Sequence, residues 1–502
     1  MAAAPVVAPF IIQSRHSYLI SSLTRLSLNP LNNEQIQEYY ANTPSARWLV
    51  LVSICLTNFL NSVTNSSVNV ATPTIASALK ANAILVSWIP TSFLLSSVVM
   101  LLPAGRLADI HGRKKLYLSG IAIFIITSII ASLSVSIEML LLIRLLQGLG
   151  SAMIFATGLA IVTAVFPAQN RGVSLGIASA SVYFGLSCGP LIGGWLTEVY
   201  GWRSVFLFPV PFSMLACALI FINLKGEWKS SSPTSVDWLG ALIFAFWSSA
   251  LFLGVSTLPG TLSYLLLAVG AAALILFYYQ QANSSNPLVR FRAIMDNHVF
   301  FRSLMASVCV YSSNYPLIFL FSLYLQFIQG LSPHDAGQIM VLQAITMAIL
   351  APIAGRLSDR FEPRIIATSG CLIMACAFAM LDRITEHTSL YYIAACLMTL
   401  GFGFGLFTTP NNNAALSAVD RERLGIATAL LNLSRVIGNM AGIAMVMILI
   451  SLIIGHAEIK PQQYPALLTT IRWALVLSCL YALSGAYFSY TRGNIRINSE
   501  SS

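Results

Sequence analysis

The chain has 502 residues, of which 57% are hydrophobic and only 9% charged, whereas about 25% of the residues in ordinary soluble domains are charged. So few charges cannot solvate the surface of a soluble chain of this length, which excludes a water-soluble globular enzyme and makes lipid the solvent for much of the surface. The net charge of +10 comes from small basic groups between apolar runs, so it indicates membrane topology rather than nucleic-acid binding.

Residues 1–47 precede the first long apolar run. They hold one short apolar patch followed by Gln, Asn, Glu and Ser, so we expect a polar cytoplasmic tail and not a signal peptide. Each later run can cross the hydrocarbon of a bilayer as a helix of about 20 residues. The runs lie near 48–72, 84–104, 116–135, 139–165, 172–197, 204–224, 238–257, 262–281, 300–328, 336–355, 365–382, 389–410, 425–454 and 467–490. No segment alternates with the period of a strand, so the sequence predicts an all-α membrane protein with fourteen transmembrane helices.

Two short patterns occur twice in the chain. Gly105–Lys115 begins Gly-Arg-Leu-Ala-Asp, and Gly355–Arg360 begins Gly-Arg-Leu-Ser-Asp, at an offset of 250 residues. Gly176–Ala180 reads Gly-Ile-Ala-Ser-Ala, and Gly425–Ala429 reads Gly-Ile-Ala-Thr-Ala, at an offset of 249. Two matches at nearly one offset predict a duplicated unit that maps helices 1–6 onto helices 9–14.

The duplication predicts two six-helix bundles, residues 48–224 and 298–490. A linker, residues 225–297, carries the two inserted helices, and residues 491–502 form a second tail. Both bundles start from the same side, which is typical of parallel repeats that rock around a central site. Lys and Arg concentrate on the side of the tails, and the opposite side carries only Lys80, Arg203, Arg383 and Lys460. We therefore expect both termini in the cytoplasm and a multi-pass protein of the plasma membrane, which in a bacterium is the inner membrane.

The repeated segment and two of the helices resemble motifs of the major facilitator superfamily. Gly105–Lys115 is similar to the signature loop of that family at nearly every position. Arg144–Ala152 in helix 4 and Gly185–Gly194 in helix 5 resemble two further motifs, and the second of these is associated with exporters. With fourteen spans, the chain resembles the drug:proton antiporter branch. The resemblance implies the major facilitator fold and proton-coupled export of a small organic molecule by alternating access.

The signature segment supplies a candidate conformational latch. Asp109 lies near the start of helix 3, where its carboxylate can accept from a helix amino terminus and pair with Arg113 or another arginine. The resemblance implies that such contacts hold the two halves shut on the cytoplasmic side. The alternative is a solvated loop whose charges only set the topology. The predicted latch residues are Gly105, Asp109, Gly112, Arg113, Gly355 and Asp359.

Helix 5 carries a stripe of small residues. Gly185, Gly189 and Gly193 recur every four residues, and Pro190 adds an expected kink, which together predict close packing against another helix. A role of this stripe and of Gly194 in export is implied by the resemblance alone.

Polar residues on helices 1, 9 and 13 predict a hydrated central cavity. The four asparagines of helix 1 fall within about 80° of one another on the helix, and four amides facing hydrocarbon would be costly. The predicted substrate-binding residues are Asn58, Asn61, Asn65, Asn69, Arg144, Tyr311, Asn314, Tyr315, Asn432, Arg435 and Asn439. The alternatives are that the amides only bond between helices, and that Arg144 reaches Glu138 or the headgroups.

The sequence departs from the antiporters in its acidic residues. The resemblance implies a carboxylate within a span, often in helix 1, where this chain has Thr64. None of the 17 acidic residues lies deep in a predicted span, although a proton carrier needs a group that titrates while facing each side in turn. Glu138, Glu198 and Asp109 are the remaining candidates. Two predicted cavity arginines without carboxylates would instead favour an anionic or neutral polar solute.

Three functions fit these residues. The first is a secondary active transporter that exports a drug or metabolite with protons as coupling ion. The second is a facilitator or uptake carrier for an anionic or neutral polar solute without proton antiport, and the third is a transport-dead receptor or scaffold. No nucleotide-binding loop, nucleophile elbow or metal-ligand cluster occurs, and the eight cysteines are scattered, so we expect no enzyme, metal or cofactor. The expected state is a monomer in the lipid bilayer that binds a small molecule and no nucleic acid.

Overall fold

The computed structural model describes residues 39–40, 42–80, 83–228, 235–257, 260–331, 333–420, 423–453 and 464–494. The side chain of Tyr315, one of the predicted binding residues, lies outside the described part, as does most of each predicted tail. Among the described residues all regular structure is helical, which confirms the predicted all-α fold. The apolar runs form helices because a helix satisfies its own backbone N–H and C=O groups where water is absent.

Fourteen long helices are labelled in chain order. The first half contains α1 (Pro44–Ala78), α2 (Ala83–His111), α3 (Arg113–Ser132), α4 (Ile137–Val165), α5 (Ala168–Tyr200) and α6, formed by Ser204–Leu207 and Pro209–Asn223. The inserted pair is α7 (Trp238–Ser256) and α8 (Thr261–Asn283). A short helix, Phe291–Asp296, leads into α9 (His298–Leu323), which ends in a π-helical turn, Tyr324–Ile328. The second half continues with α10 (Pro333–Arg360), α11 (Pro363–Leu381), α12 (Leu390–Ser417), α13 (Leu424–Ile453) and α14 (Tyr464–Thr491).

Thirteen helices in the described part of the chain are long and apolar enough to cross a membrane. Helix α9 is not among them. A multi-pass membrane protein is therefore supported, while the count of fourteen spans stays a prediction.

The helix pairings repeat in the two halves. Helix α1 packs against α5 and α6, α2 against α4, and α3 against α4 and α6. In the second half α9 packs against α13 and α14, α10 against α12, and α11 against α12 and α14. Helices α1–α6 thus correspond to α9–α14, as the repeated patterns predict.

The halves meet through α2 with α13, α5 with α10, α4 with α13 and α5 with α12. The inserted hairpin packs on this junction, since α7 contacts both α2 of the first half and α13 of the second. A carboxylate fastens the hairpin at its base: Asp237 accepts from the Gly240 N–H at 2.8 Å and from the side-chain amides of Gln280 and Gln281 at 2.9 Å. Burial alone would raise the pKa of Asp237, but these hydrogen bonds together lower it.

Several helices extend beyond the predicted runs. Helix α2 continues to His111 and α10 to Arg360, so the signature segment forms helical turns and not a loop, and α12 continues to Ser417. The chain turns only at Gly112, whose φ of 109° lies in the region that favours glycine. The predicted carboxyl ends of α2, α10 and α12 come too early, because hydropathy falls where polar residues begin. Several of these polar residues are nevertheless buried between helices.

Candidate functional site

Asp109 forms a buried polar contact between the halves. Its side chain is 2% exposed. Its two carboxylate oxygens accept from the N–H groups of Gly425 and Ile426, each at 2.9 Å, and the Arg113 guanidinium lies 3.3 Å away. The first N–H groups of a helix have no partner within that helix and carry partial positive charge. A carboxylate of the first half thus caps α13 of the second half.

Asp359 makes the corresponding contact in the opposite sense. This side chain of α10 accepts from the N–H groups of Gly172 and Val173 in α5, at 2.8 and 3.0 Å. The end of the bundle that carries Asp109 and Asp359 is called the latch side below. Both carboxylates have the geometry that the predicted latch requires, and the latch role itself stays a prediction.

These contacts correct the register of the second repeated pattern. The sequence match aligns Gly176 with Gly425, whereas the capped positions are Gly172 and Gly425. The true correspondence is therefore shifted by four residues, about one helical turn. Similar small residues recur one turn apart in α5, and a sequence match cannot tell one turn from the next.

Glycines allow the helices to approach at both contacts. A Cβ atom on Gly355 would lie 2.2 Å from the backbone oxygen of Gly172. A Cβ atom on Gly105 would lie 2.9 Å from the backbone oxygen of Gly425 and 2.6 Å from the Cβ of Ala429. Side chains at either predicted glycine would force the capping carboxylates away from the N–H groups.

Glu227 completes the polar arrangement, and no sequence pattern predicted its position. Its carboxylate accepts from the N–H groups of Lys114 and Lys115, at 2.8 and 3.3 Å, at the start of α3. Gly112 admits this contact, because a Cβ atom there would lie 2.3 Å from the Glu227 carboxyl carbon. Burial raises the pKa of Glu227 above the ordinary carboxyl range. Helix α3, which carries Arg113, is thereby fixed at its start.

The small-residue stripe of α5 packs against α1. Cβ atoms on Gly185, Gly189 and Gly193 would each lie within 2.6 Å of atoms of α1. Gly194 and Pro190 lie off this contact: the nearest atom to a Cβ on Gly194 is 3.9 Å away, and Pro190 is exposed. The predicted close packing is present for the three glycines, and their role in export stays a prediction.

A cavity lies between the two halves. It is lined by α1, α4 and α5 of the first half and by α9, α12 and α13 of the second. Four predicted binding residues line it: Asn58, Tyr311, Asn432 and Arg435. A molecule held there would contact both halves at once.

The cavity offers amides, hydroxyls, aromatic rings and one guanidinium. Arg435 is half-buried and lies 5.6 Å from the ring centre of Phe155, a cation–π distance. The Asn432 side-chain amide donates to the Phe155 carbonyl at 3.2 Å and so bridges α13 and α4. Tyr183 and Tyr311 stand edge-on around the same ring, Phe404, at 6.0 and 5.2 Å. No carboxylate is among the described side chains that line the cavity.

The remaining predicted amides lie elsewhere. Asn61 accepts from Ser151 of α4 at 3.0 Å, and Asn314 accepts from Gln343 of α10 at 2.6 Å, so these two amides bond between helices. Neither borders the cavity. Asn65 and Asn439 are half-buried and Asn69 is exposed, and none of the three borders it either. Asn58 and Asn69 are about 16 Å apart along the helix axis, and of the four asparagines of α1 only Asn58 borders the cavity.

Arg144 is enclosed within the first half and does not border the cavity. Its side chain is 0% exposed. Its Nε donates to the Ile89 carbonyl at 3.2 Å, its Nη1 donates to Gln147 at 2.7 Å, and the guanidinium lies 4.4 Å from the ring centre of Phe93. This carbonyl, amide and ring surround the charge, and Glu138, its predicted partner, is exposed at the start of α4.

Several cavity residues were absent from the sequence prediction, among them Phe155, Ser179, Tyr183, Ser307, Thr408 and Asn412. One signal was available. Residues 408–413 read Thr-Thr-Pro-Asn-Asn-Asn next to an apolar run. The predicted helix ends at 410, so residues 411–413 fall beyond it in the prediction, whereas the whole polar run lies within α12.

Arg492 connects the cavity to the latch side. It was assigned to the tail as a topology signal, yet its side chain is 1% exposed. Its Nη1 donates to the Asn411 amide oxygen at 2.9 Å, and the Asn411 nitrogen donates to Ser307, a cavity residue, at 2.9 Å. Burial lowers the pKa of Arg492 to about 10. Its position depends on the packing of α9, α12 and α14, which hydropathy does not report.

Comparisons with known proteins agree with this geometry. The sequence model described as the Major Facilitator Superfamily matches residues 54–443 and 303–494. The chain is 32% identical over 405 residues to the riboflavin transporter RibZ of Clostridioides difficile (strain 630), covering 78% of this chain and 87% of RibZ. It is 30% identical over 404 residues to the multidrug resistance protein Stp of Mycobacterium tuberculosis (strain CDC 1551 / Oshkosh), covering 79% of this chain and 74% of Stp. The solved proton:xylose symporter XylE has the same fold, with a TM-score of 0.65 at 12% identity over 90% of this chain and 97% of XylE.

Proposed function

The chain belongs to the Major Facilitator Superfamily, and from that premise we propose that it is a secondary transporter that exports a small organic molecule by alternating access. Its proposed location is the plasma membrane, with both termini in the cytoplasm. The observation that carries the proposal is the cavity shared by three helices from each half. A solute bound between the halves becomes accessible from the other side when the halves rock. Asp109 and Asp359 must then release the helix starts that they cap.

The chemistry of the cavity favours a flat, neutral or anionic solute. Amides and hydroxyls supply hydrogen bonds, the aromatic residues offer ring contacts, and Arg435 favours negative charge. A lipophilic cation would find no carboxylate among the lining residues that the structure describes. Riboflavin, the solute in the name of one relative, is a flat heteroaromatic molecule of the favoured class.

Transport can be coupled to protons or can proceed without them, and proton coupling is the first of these two candidate modes. Of the predicted proton carriers, Glu138 and Glu198 are exposed and Asp109 lies buried in the contact between the halves. Asp109 is the candidate that both senses a proton and changes its surroundings when the halves separate. The second candidate is facilitated transport of the solute without protons, which the lack of a carboxylate in the described cavity lining favours.

Transport by the purified protein in liposomes tests both candidates. We expect it to carry riboflavin. Accumulation against the riboflavin gradient when a pH gradient is imposed, lost when an ionophore collapses that pH gradient, would favour proton coupling. Equilibration that ignores the pH gradient would favour the facilitator. Pumping of an organic cation such as ethidium, with flavins ignored, would contradict the proposed substrate class.

Arg435 gives a sharper test of that class. We expect Arg435→Gln to weaken transport of anionic riboflavin 5′-phosphate about tenfold or more, because a hydrogen bond to a charged group contributes about 1.5–3 kcal/mol. Transport of neutral riboflavin should change less. Arg472→Gln is the matched control, since Arg472 is exposed on α14 and bonds to a backbone carbonyl outside the cavity. Equal losses for both solutes would show that Arg435 does not select charge.

A further inference from the structure

A second cavity opens on the latch side, between the two halves and the linker. It is lined by Arg106 at the end of α2, by the segment 287–290 after α8, by the start of α9, and by the turn between α12 and α13. It shares no lining residue with the central cavity. It is therefore a separate site, and neither the transported solute nor the direction of transport bears on it.

Three arginines line this cavity from three different parts of the chain. Arg106 is half-buried, and Arg290 and Arg423 are exposed. Both exposed arginines act electrostatically on Arg106, which also interacts with Asp109. The one carboxylate among the described lining residues is Asp420. Cations outnumber it, so an anion at the centre would relieve the repulsion between guanidinium groups.

Apart from Asn297 and Asp420, the other described residues of the wall are apolar. Leu288, Val289 and Phe300 are each 3% exposed and lie beside the arginines. Arginines bind phosphate through parallel hydrogen bonds, and basic pockets between transmembrane helices bind anionic headgroups. Three guanidinium groups around one cavity suit a phosphate group, whether it belongs to a lipid headgroup or is free.

The cavity adjoins the contact made by Asp109. Ile426 lines it, and the Ile426 N–H is one of the two groups that Asp109 accepts from. Arg106 belongs to the first half, and Arg423 immediately precedes α13 of the second. A phosphate that bridges these two arginines joins the halves at the latch side, so it binds the closed arrangement more tightly than the open one. By linkage, its binding stabilises the closed arrangement.

We propose that this cavity binds a phosphate group, carried by an anionic phospholipid or free in solution, and that the bound phosphate stabilises the contact between α2 and α13. The three arginines of the wall provide affinity for phosphate. Because the cavity adjoins Ile426, phosphate binding is coupled to the contact that Asp109 makes with α13.

Native mass spectrometry and hydrogen exchange of the full-length protein test the proposal. The probes are phosphatidylglycerol at 0 or 30% in phosphatidylcholine nanodiscs, and inorganic phosphate in pure phosphatidylcholine nanodiscs against chloride at equal ionic strength. We expect phosphatidylglycerol retention to fall about thirtyfold in the double variant Arg290→Gln/Arg423→Gln. We also expect the bound phosphate to slow exchange of the Ile426 amide. Arg292→Gln is the control, because Arg292 is exposed two residues after Arg290, on the short helix Phe291–Asp296, but does not line the cavity.

Each outcome has one meaning. Retention of the lipid alone identifies the headgroup as the source, and an equal effect of inorganic phosphate identifies the free ion. Two results overturn the proposal: no binding in either arm, or a double variant that retains the lipid as well as Arg292→Gln does. Unchanged exchange at Ile426 despite binding overturns the coupling to the latch side. Riboflavin transport is measured in a separate experiment. Failure of the proposed function would therefore not change the outcome of the binding and exchange measurements.

Discussion

The two contacts between the halves are related by the duplication but are built differently. The polar seal consists of Asp109 and Arg113 of the first half and of Gly425 and Ile426 at the start of α13. Asp109 and Arg113 form a buried ion pair whose side chains are 2% and 1% exposed. The glycine seal consists of Gly172 and Gly176 of α5 and of Gly355 and Asp359 of α10. There the carboxylate is half-buried, and helix backbones meet directly.

The difference teaches that one topological role can rest on two kinds of interaction. At the polar seal the position one turn beyond Gly425 is Ala429, and a buried charge network connects the helices. At the glycine seal the matching position is Gly176, where a Cβ atom would lie 2.5 Å from the Ala351 oxygen. Arg113 also has no counterpart in the second half, because Pro363 begins α11. We therefore expect the first seal to respond to charge and the second to volume.

The largest expected effect is that of Asp109→Asn. The substitution removes the carboxylate charge that pairs with buried Arg113 and turns an amide toward two N–H donors, which costs about 3–5 kcal/mol. We expect liposome transport to fall close to background while the protein still inserts and elutes as a single species. Asp359→Asn is the matched variant, and we expect less than about a tenfold loss because its carboxylate is partly hydrated. Equal losses would abolish the distinction between the seals, and full activity of Asp109→Asn would contradict the latch.

An intermediate effect is expected from Gly355→Ala. The new methyl group would lie 2.2 Å from a backbone oxygen of α5, so the two helices must separate, at a cost of about 1–3 kcal/mol. We expect a lower thermal unfolding temperature in detergent and slower transport. Gly337→Ala is the control on the same helix, since nothing lies within 4 Å of its Cβ position; a neutral or slightly stabilising result is expected there. If both variants behaved alike, close backbone approach would not hold the glycine seal.

The smallest effect concerns the pH dependence of stability at Glu227, beside the polar seal. Burial raises the pKa of Glu227, which caps α3, so the folded protein binds this proton more readily than the unfolded chain does. Stability therefore falls as the pH rises from the ordinary carboxyl range through the raised pKa. We expect the unfolding temperature of the wild type to fall relative to Glu227→Gln by a few degrees at most across that window, measured in detergent. Parallel pH profiles of the two proteins would rule out this contribution.

Much of the fold could be predicted from the sequence. The apolar runs located the helices, and the two Gly-Arg-Leu patterns identified the duplication that the helix pairings repeat. The same patterns singled out Asp109 and Asp359, and the spacing of small residues in α5 predicted close packing against another helix, which the structure shows to be α1. These features are local, because composition and periodicity within one segment report whether it is buried in lipid or packed against another helix.

The candidate site was predicted only in part. Asn58, Tyr311, Asn432 and Arg435 do meet in the cavity, but Arg144 does not join them. The predicted helices end too early at polar residues, as at α12, because hydropathy does not distinguish water from a polar contact between helices. A polar side chain has the same hydropathy whether it faces the cavity or a neighbouring helix. Hydropathy therefore cannot tell which polar residues line the cavity.

The sequence by itself determined that the chain is a helical membrane protein made of two similar halves with an inserted pair of helices. Only long apolar helices satisfy their own backbone groups in lipid, and the repeated residue patterns indicate the duplication. Only the tertiary structure decided which N–H groups Asp109 and Asp359 cap, which amides line the cavity, and that Arg492 is buried beside Asn411. Those contacts depend on the rotation of each helix about its axis and on its shift along its neighbour. A shift of one turn leaves the hydropathy almost unchanged but exchanges every partner.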